Sequence, residues 1–327
     1  MISLDFELHW GVLERAPDGA YGPNLRGVPG SVRGMLKLFR EFGIRATWGT
    51  VGMLFARGRA ERERFSPKVR PRYTVPIPDS YAVPTGEGEA DDPLHYAPTL
   101  IAEVAATPGQ EVATHTFAHL CLLEPAENMR EALRADLRAA RAIMRHTVGV
   151  EPRSIIFPRN QHDPALHDVL VDEGVPCYRG SPRAWMWKAA PGAGQGALRR
   201  AARLADAYLG PSRLTRWDEV AQPDGTYDVR SSFFVRLGSG RMGARRIAGA
   251  MDEAARRGEI LHLWWHPHNA GVRTAEGLAF LRGLLETFGR LRRTHGMESL
   301  GMAEVAERCG MKPRTPADAA ARPGAVR

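Results

Sequence analysis

A chain of 327 residues that is 43% hydrophobic and 25% charged has the composition of a globular protein with an enzyme-sized core. No stretch reaches the roughly 18 consecutive apolar residues that a membrane-spanning helix needs, and the N-terminus lacks the pattern of a secretory signal, so we expect a cytoplasmic protein without a membrane span. The net charge of +8 is spread along the chain without a nucleic-acid-binding signature, which argues against a nucleic-acid partner.

Strand-like and helix-like segments alternate along the chain, and this alternation predicts an α/β fold. The predicted strands cover residues 2–6, 46–51, 111–114, 153–157, 176–179 and 259–265. The predicted helices cover residues 32–41, 98–106, 125–145 and 164–173.

Two irregular stretches interrupt the alternation. Residues from about 61 to 98 are rich in Pro, Gly and charged side chains, and we interpret them as a lid-like insertion. Residues from about 180 to 225 are rich in Arg and Gly. Their densest basic run, around Arg199 and Arg203, indicates a solvated helical face or, alternatively, a clamp for a phosphate on the substrate. Residues 311–327 are predicted to form a flexible tail.

Three predicted strands end in acidic or imidazole side chains. These side chains are Asp5 and Glu7, then His115 and His119, then His266 and His268. In barrels of alternating strands and helices, the C-terminal ends of the strands converge on one face. The six side chains are therefore expected to meet in one pocket.

The segment HTFAH has a spacing that suits metal binding, although this spacing alone is a weak signal. His115 and His119 are four residues apart, so one turn of helix or a tight loop places both imidazoles on the same side of one metal ion. A carboxylate from another segment would complete a set of three ligands and leave positions open for water and substrate. The pair alone also fits histidines in a polar core or on the surface. No Glu follows His115, which excludes the HExxH metalloprotease motif.

Five segments together carry a more specific resemblance. SLDFELHWG, RATWGTVG, PGQEVATHTFAH, FPRNQ and LHLWWHPHN resemble, in this order, the motif set of the polysaccharide deacetylase family, carbohydrate esterase family 4, over roughly residues 2 to 305. The resemblance implies an incomplete, distorted (β/α) barrel, with a deacetylase-like catalytic domain over residues 1–310. It also implies one divalent metal ion, for which imidazole and carboxylate ligands favour zinc.

The resemblance also implies a role for each motif residue. Asp5 becomes the general base, His266 the general acid, and Glu7, His115 and His119 the metal ligands. The implied reaction is the removal of an N-acyl group, N-acetyl above all, from an amino sugar in an intracellular glycan, sugar-nucleotide or natural-product precursor. The alternative is a catalytically inactive, carbohydrate-binding relative, although no ligand or acid is missing from the motifs.

Two departures from the family pattern leave some roles open. The usual adjacent acidic pair is replaced by Asp5-Phe6-Glu7, so the base and the ligand could exchange roles. Ile156 stands where the family has an arginine, and Arg159 follows Pro158 instead. Arg159 either orients the base from another angle or pairs on the surface.

The other candidate residues are expected to contact substrate. His262, His266 and His268 would share one face of an extended strand, and Pro267 favours His266 as the residue at the tip. Trp10 and Trp264 pack in the core or stack on a sugar ring. The predicted substrate contacts are Trp10, Asn160, Trp264 and His268. The sequence does not specify the oligomeric state.

Overall fold

Eight parallel strands form one sheet in the computed structural model, which describes residues 1–16, 19–191, 196–210 and 213–312. The strands are β1 (Ile2–Phe6), β2 (Ala46–Thr50), β3 (Gln110–Thr114), β4 (Ser154–Ile155), β5 (Cys177–Tyr178), β6 (Tyr227–Asp228), β7 (Phe233–Phe234) and β8 (Leu263–Trp265). They pair in the order β6-β5-β4-β3-β2-β1-β8-β7, so β6 and β7 are the edges of a curled, open sheet. The predicted incomplete (β/α) barrel is confirmed.

The position of β1 explains how distant residues come together. All five residues of β1 are buried, as expected for a parallel strand that is covered on both faces. β1 pairs with β2, where Asp5 lies opposite Gly49, and with β8, where Leu4 lies opposite Trp265. Because the pairing is parallel, the C-terminal ends of these strands lie at one edge of the sheet.

Ten α-helices occur in the described part of the chain. They are α1 (Gly22–Arg26), α2 (Val28–Phe42), α3 (Arg59–Phe65), α4 (Pro98–Ala106), α5 (Met129–Val148), α6 (His167–Asp172), α7 (Ala197–Leu209), α8 (Gly240–Arg257), α9 (Thr274–His295) and α10 (Met302–Arg308). The largest apolar cluster joins β1 and β2 to α2, α4, α8 and α9. Within the described ranges, no helix combines the length and the apolar character needed to cross a membrane.

The predicted elements agree with the structure in order, with two corrections. The six predicted strands correspond to β1–β5 and β8, and the four predicted helices to α2, α4, α5 and α6. The prediction of an irregular stretch from about 61 is wrong over residues 61–65, which belong to α3. The prediction of an irregular region from 180 to 225 is wrong over α7, because the Ala- and Leu-rich run ALRRAARLADAYL has high helix propensity despite its Gly-rich flanks. In the predicted tail, residues 313–327 lie outside the described residues.

The segment interpreted as an insertion lies against the turn that follows β1. After α3, residues 66–97 contain no helix or strand, although all of them are described. Nδ1 of His95 lies 2.8 Å from Oδ2 of Asp92, and its Nε2 lies 2.8 Å from Nδ1 of His9. This buried chain of hydrogen bonds joins the insertion to the segment that carries Glu7.

Candidate metal centre

Donor atoms of Glu7, His115 and His119 converge at the C-terminal ends of β1 and β3. Oε2 of Glu7 lies 3.2 Å from Nε2 of His115 and 3.2 Å from Nε2 of His119. All three side chains are buried, and the donor atoms lie within 4.8 Å of one another. Two imidazoles and one carboxylate are a common ligand set of catalytic metal sites, because three protein ligands leave positions open for water and substrate.

The hydrogen bonds of His115 indicate that this cluster suits a cation. Nδ1 of His115 lies 2.8 Å from the carbonyl oxygen of Ile156, so this nitrogen carries the proton and donates it. With the proton on Nδ1, the neutral tautomer directs the lone pair of Nε2 at the Glu7 carboxylate, 3.2 Å away, whereas a doubly protonated ring would donate to it. Two acceptors at this distance repel each other unless a metal ion or a proton lies between them. Burial lowers the pKa of His119, which favours the neutral ring that can bind a metal.

The backbone around the centre adopts conformations that the surrounding structure must hold in place. Non-glycine residues with positive φ in the described part of the chain are Leu8, Thr116, His119, Arg159 and Asn160, and each follows β1, β3 or β4. Such conformations cost about 1–3 kcal/mol each and occur preferentially at functional sites. Gly11 leaves room for the Glu7 side chain, because a Cβ at this position would lie 2.0 Å from Cδ of Glu7.

Asp136 of α5 holds the loop that carries both histidines. Its carboxylate accepts hydrogen bonds from the backbone N–H of Phe117 at 2.6 Å and of Ala118 at 3.2 Å. Burial raises the pKa of Asp136 to about 7, although these two N–H groups favour the ionised form. The position of the loop that carries His115 and His119 therefore depends on a buried carboxyl group.

The stability of the protein should depend on pH through Asp136. Its folded pKa of about 7 lies above the ordinary value of 3.8, so its contribution is complete below pH 3.8 and is lost as the pH rises through 7. The free energy of unfolding should therefore fall over this range, and Asp136→Asn should flatten that slope. Urea unfolding at about pH 5 and about pH 8 measures the effect, with the surface variant Asp252→Asn as the control. Equal slopes in the wild type and Asp136→Asn would contradict the raised pKa.

A buried pair, Asp5 with Arg179, lies beside the metal cluster. Arg179 follows β5 and donates to both carboxylate oxygens of Asp5, at 2.5 Å and 2.7 Å. The same guanidinium donates to Oγ of Ser3 at 3.1 Å and to Oδ1 of Asn160 at 2.8 Å, and it lies 4.3 Å from the ring centre of Trp264. Such a bidentate, charge-assisted pair fixes both the position and the orientation of the carboxylate.

The charges around the two carboxylates keep both ionised. Burial alone would raise the pKa of Asp5, but Arg179 and His266 outweigh it and leave the pKa below its ordinary value. Burial would also raise the pKa of Glu7, but His266 and the two histidines of the cluster hold it well below its usual range. Asp5 can therefore accept a proton, and Glu7 can act as an anionic ligand.

His266 is the late histidine that faces both carboxylates. Its Nε2 lies 3.5 Å from Oε1 of Glu7 and 3.7 Å from Oδ2 of Asp5, and its side chain is 22% exposed. His268 stacks on His266 with ring centres 4.8 Å apart, and burial lowers the pKa of His268 to about 4. These two histidines and Glu7 also place donor atoms within 4.8 Å of one another. His262 is fully buried, so among the three late histidines His266 combines contact with the carboxylates and access to solvent.

The two predicted tryptophans border the centre in different ways. Trp10 is buried, its Nε1 donates to the carbonyl oxygen of His95, and its ring lines the cleft described below. Trp264 is buried between the guanidinium of Arg179 and the ring of His266. The contacts of Trp264 in the structure are thus with catalytic candidates rather than with open solvent.

Of the two possibilities left open for Arg159, the structure shows a pair with an acidic side chain, and a different arginine, Arg179, contacts Asp5. Nη2 of Arg159 lies 3.5 Å from Oε2 of Glu14 at the rim of the cleft. The guanidinium that contacts Asp5 belongs to Arg179, which lies outside the five motifs. In the sequence, Arg179 could have been recognised only by its position at the end of the predicted strand 176–179, because the other site residues also follow strand ends.

A cleft of about 250 Å³ opens beside the metal cluster. The cleft is lined by His119, Leu120 and Cys121 and by residues within 70–81. Glu14 and Arg159 also line the cleft. The insertion therefore borders the candidate site.

Comparisons with known proteins support the fold. No protein-family model and no curated protein matches the sequence. A protein from Mycobacterium smegmatis with a provisional assignment as a polysaccharide deacetylase superposes with a TM-score of 0.58 at 15% identity, over 96% of this chain and 91% of that chain. The GH57-type branching enzyme from Pyrococcus horikoshii gives 0.55 at 11% identity, over 96% and 70%. A family 4 carbohydrate esterase from Streptomyces lividans gives 0.42 at 12% identity, over 91% and 89%.

At these low sequence identities, the similarity to the solved structures shows the fold alone. A branching enzyme shares the architecture, so the fold by itself does not select the reaction, and the chemistry must be argued from the site. The chain has the fold of the polysaccharide deacetylases, as the order of its motifs predicts.

Proposed function

We propose that the protein hydrolyses an N-acyl group, N-acetyl above all, from an amino sugar with the help of one divalent metal ion. The observation that carries the proposal is the convergence of the Glu7, His115 and His119 donors beside the ionised carboxylate of Asp5 and the partly exposed imidazole of His266. The chemistry of these ligands favours zinc. When bound, such an ion supplies polarisation of the acyl carbonyl and a lower pKa for water.

Each protein group has a task in this reaction. Asp5 accepts the proton of the attacking water, because its lowered pKa keeps it ionised and two hydrogen bonds from Arg179 fix the orientation of its carboxylate. His266 gives a proton to the departing amine, which is a poor leaving group while it is unprotonated. The 3.7 Å between Nε2 of His266 and Oδ2 of Asp5 supports this division of roles at one reacting centre.

Metal content tests the first part of the proposal. The purified protein should hold about one divalent ion per chain, measured by plasma mass spectrometry after dialysis. His115→Ala and His119→Ala should each abolish stoichiometric binding, whereas His295→Ala, at the exposed end of α9, should keep it. Full metal retention in the double variant His115→Ala/His119→Ala would contradict a metal site at these residues.

A substrate screen tests the second part. N-acetylated sugar nucleotides, lipid-linked precursors and amino-sugar natural products should be compared by the acetate they release. Acetate release by the wild type and none by His115→Ala supports the hydrolase. Saturable binding of the same sugars by the metal-loaded wild type without any acyl release would instead identify an inactive, carbohydrate-binding relative.

We further propose that the insertion selects the substrate, because residues within 70–81 line the cleft. Replacing residues 76–80 by two glycines should change the ratio of kcat/KM between small and large amino sugars by about tenfold or more, as expected when a pocket wall is lost. Metal content is the control and should not change. Identical kinetics on every substrate would refute this role.

A further inference from the structure

Helix α7 turns its polar side towards the protein and its apolar side towards solvent, the reverse of the usual orientation of an amphipathic helix. Among the α7 side chains that the structure describes, those at exposed positions are all apolar, namely Ala197, Leu198, Ala201, Leu204 and Ala205. Leu198 is 76% exposed and Leu204 48%. At 100° per residue these five positions cover one continuous face of the helix. We call this surface, together with Trp185, the α7 face.

The inward side of α7 is fixed by polar contacts. Nε of Arg203 donates to the carbonyl oxygen of Met186 at 2.7 Å, and Nη2 of Arg199 donates to that of Trp185 at 2.9 Å. Asp206 is buried and accepts from Nε1 of Trp187 at 2.8 Å. Trp185, on the segment that these bonds hold, is 58% exposed and adds an aromatic ring to the apolar surface. The outward orientation of the leucines therefore follows from specific contacts.

The surroundings of the α7 face carry an excess of positive charge. Residues 181–219 contain seven Lys and Arg side chains against three acidic side chains, and three of the arginines form ion pairs, Arg183 with Glu219, Arg213 with Asp206 and Arg216 with Asp218. Apolar side chains with an aromatic residue on one side, and arginines on the other, form the pattern of helices that lie in the plane of a membrane interface. Arginine stems extend beside such a helix and bring their charges to lipid phosphates.

We propose that the α7 face docks on a bilayer that contains anionic phospholipids. The charge decides the choice of occupant, because a second copy of this chain would bring an equally basic segment against the first. The α7 face is also connected to the candidate site through neighbouring aromatic rings. The ring of Trp187 lies 6.5 Å from that of Trp264, which lies 5.8 Å from His266. A lipid-borne amino sugar as the substrate, a further step that rests on the proposed function, would be presented beside His266.

Vesicle sedimentation tests the docking. The wild type should bind vesicles of equal parts phosphatidylcholine and phosphatidylglycerol, bind pure phosphatidylcholine more weakly, and lose binding at high salt. The double variant Leu198→Gln/Leu204→Gln should partition at least about tenfold less, because two leucines lose their apolar contact with lipid. Val69→Gln/Val171→Gln replaces two exposed valines outside the segment and should bind as the wild type does.

Three outcomes would overturn the proposal: no binding to anionic vesicles, unchanged binding by the leucine variant, or a wild-type dimer in solution that this variant converts to a monomer. The assay needs no substrate, so its result does not depend on the hydrolysis. Acetate release from a soluble amino sugar should be the same in the leucine variant and the wild type. Vesicle binding without any hydrolysis would leave the docking in place and refute only the proposed reaction.

Discussion

Asp5→Asn is expected to keep the metal ion and to lose about 10²–10⁴-fold in turnover, the usual effect of removing a general base. The amide is nearly isosteric with the carboxylate but cannot accept the proton of water. In the structure Asp5 is 3% exposed, and its two oxygens face Arg179 rather than the histidine pair, so its loss leaves the three ligand atoms in place. Metal content and acetate release measure the two effects separately.

Glu7→Gln is the matched comparison, since it also replaces a carboxylate by an amide two residues away on the chain. Oε2 of Glu7 faces both imidazoles, and a neutral amide oxygen is a poorer metal ligand, so this variant should lower metal affinity. If Asp5→Asn emptied the site and Glu7→Gln left it full, the two carboxylates would exchange roles. Wild-type turnover in both variants would contradict the mechanism.

The centre of the sheet could be predicted from the sequence because its strands are long and buried. β1 and β2 have nearly the predicted bounds, and each is a continuous buried run. β6 and β7 contain two residues each, too few to show any periodicity. No helix was predicted over α9, although Leu281, Leu284, Leu285 and Phe288 have the spacing of a buried helical face. The local pattern of α9 was thus present in the sequence, whereas the edge strands depend on tertiary pairing.

The candidate site was predictable where the ligands follow a strand and belong to a motif. The sequence places Glu7 and the two histidines of HTFAH at strand ends, and the structure brings their donor atoms together. Arg179 has no such motif. Its contact with Asp5 depends on how far the sheet curls between β1 and β5, which are separated by three other strands. A single sequence does not contain that curvature in any local pattern.

Arg179→Met should destabilise the fold by about 3–5 kcal/mol, because it leaves the carboxylate of Asp5 buried without its cation. Both side chains are almost fully buried, and the guanidinium also donates to Ser3 and Asn160. The free energy of unfolding from urea titration measures the effect. Arg159→Met is the matched control: its pair with Glu14 spans 3.5 Å and is about one third exposed or more, so its loss should cost less than about 1 kcal/mol.

The double variant Asp5→Asn/Arg179→Met separates a buried ion pair from two independent losses. With both charges removed, neither member of the pair is left buried without its partner, so the double variant should be more stable than the sum of the single changes predicts, by about 0.5–3 kcal/mol. Additive effects would mean that solvent or another group already compensates Asp5. An Arg159→Met variant as unstable as Arg179→Met would instead return the orienting role to Arg159. The expected order follows from burial, because a charge that water cannot reach depends on its one protein partner.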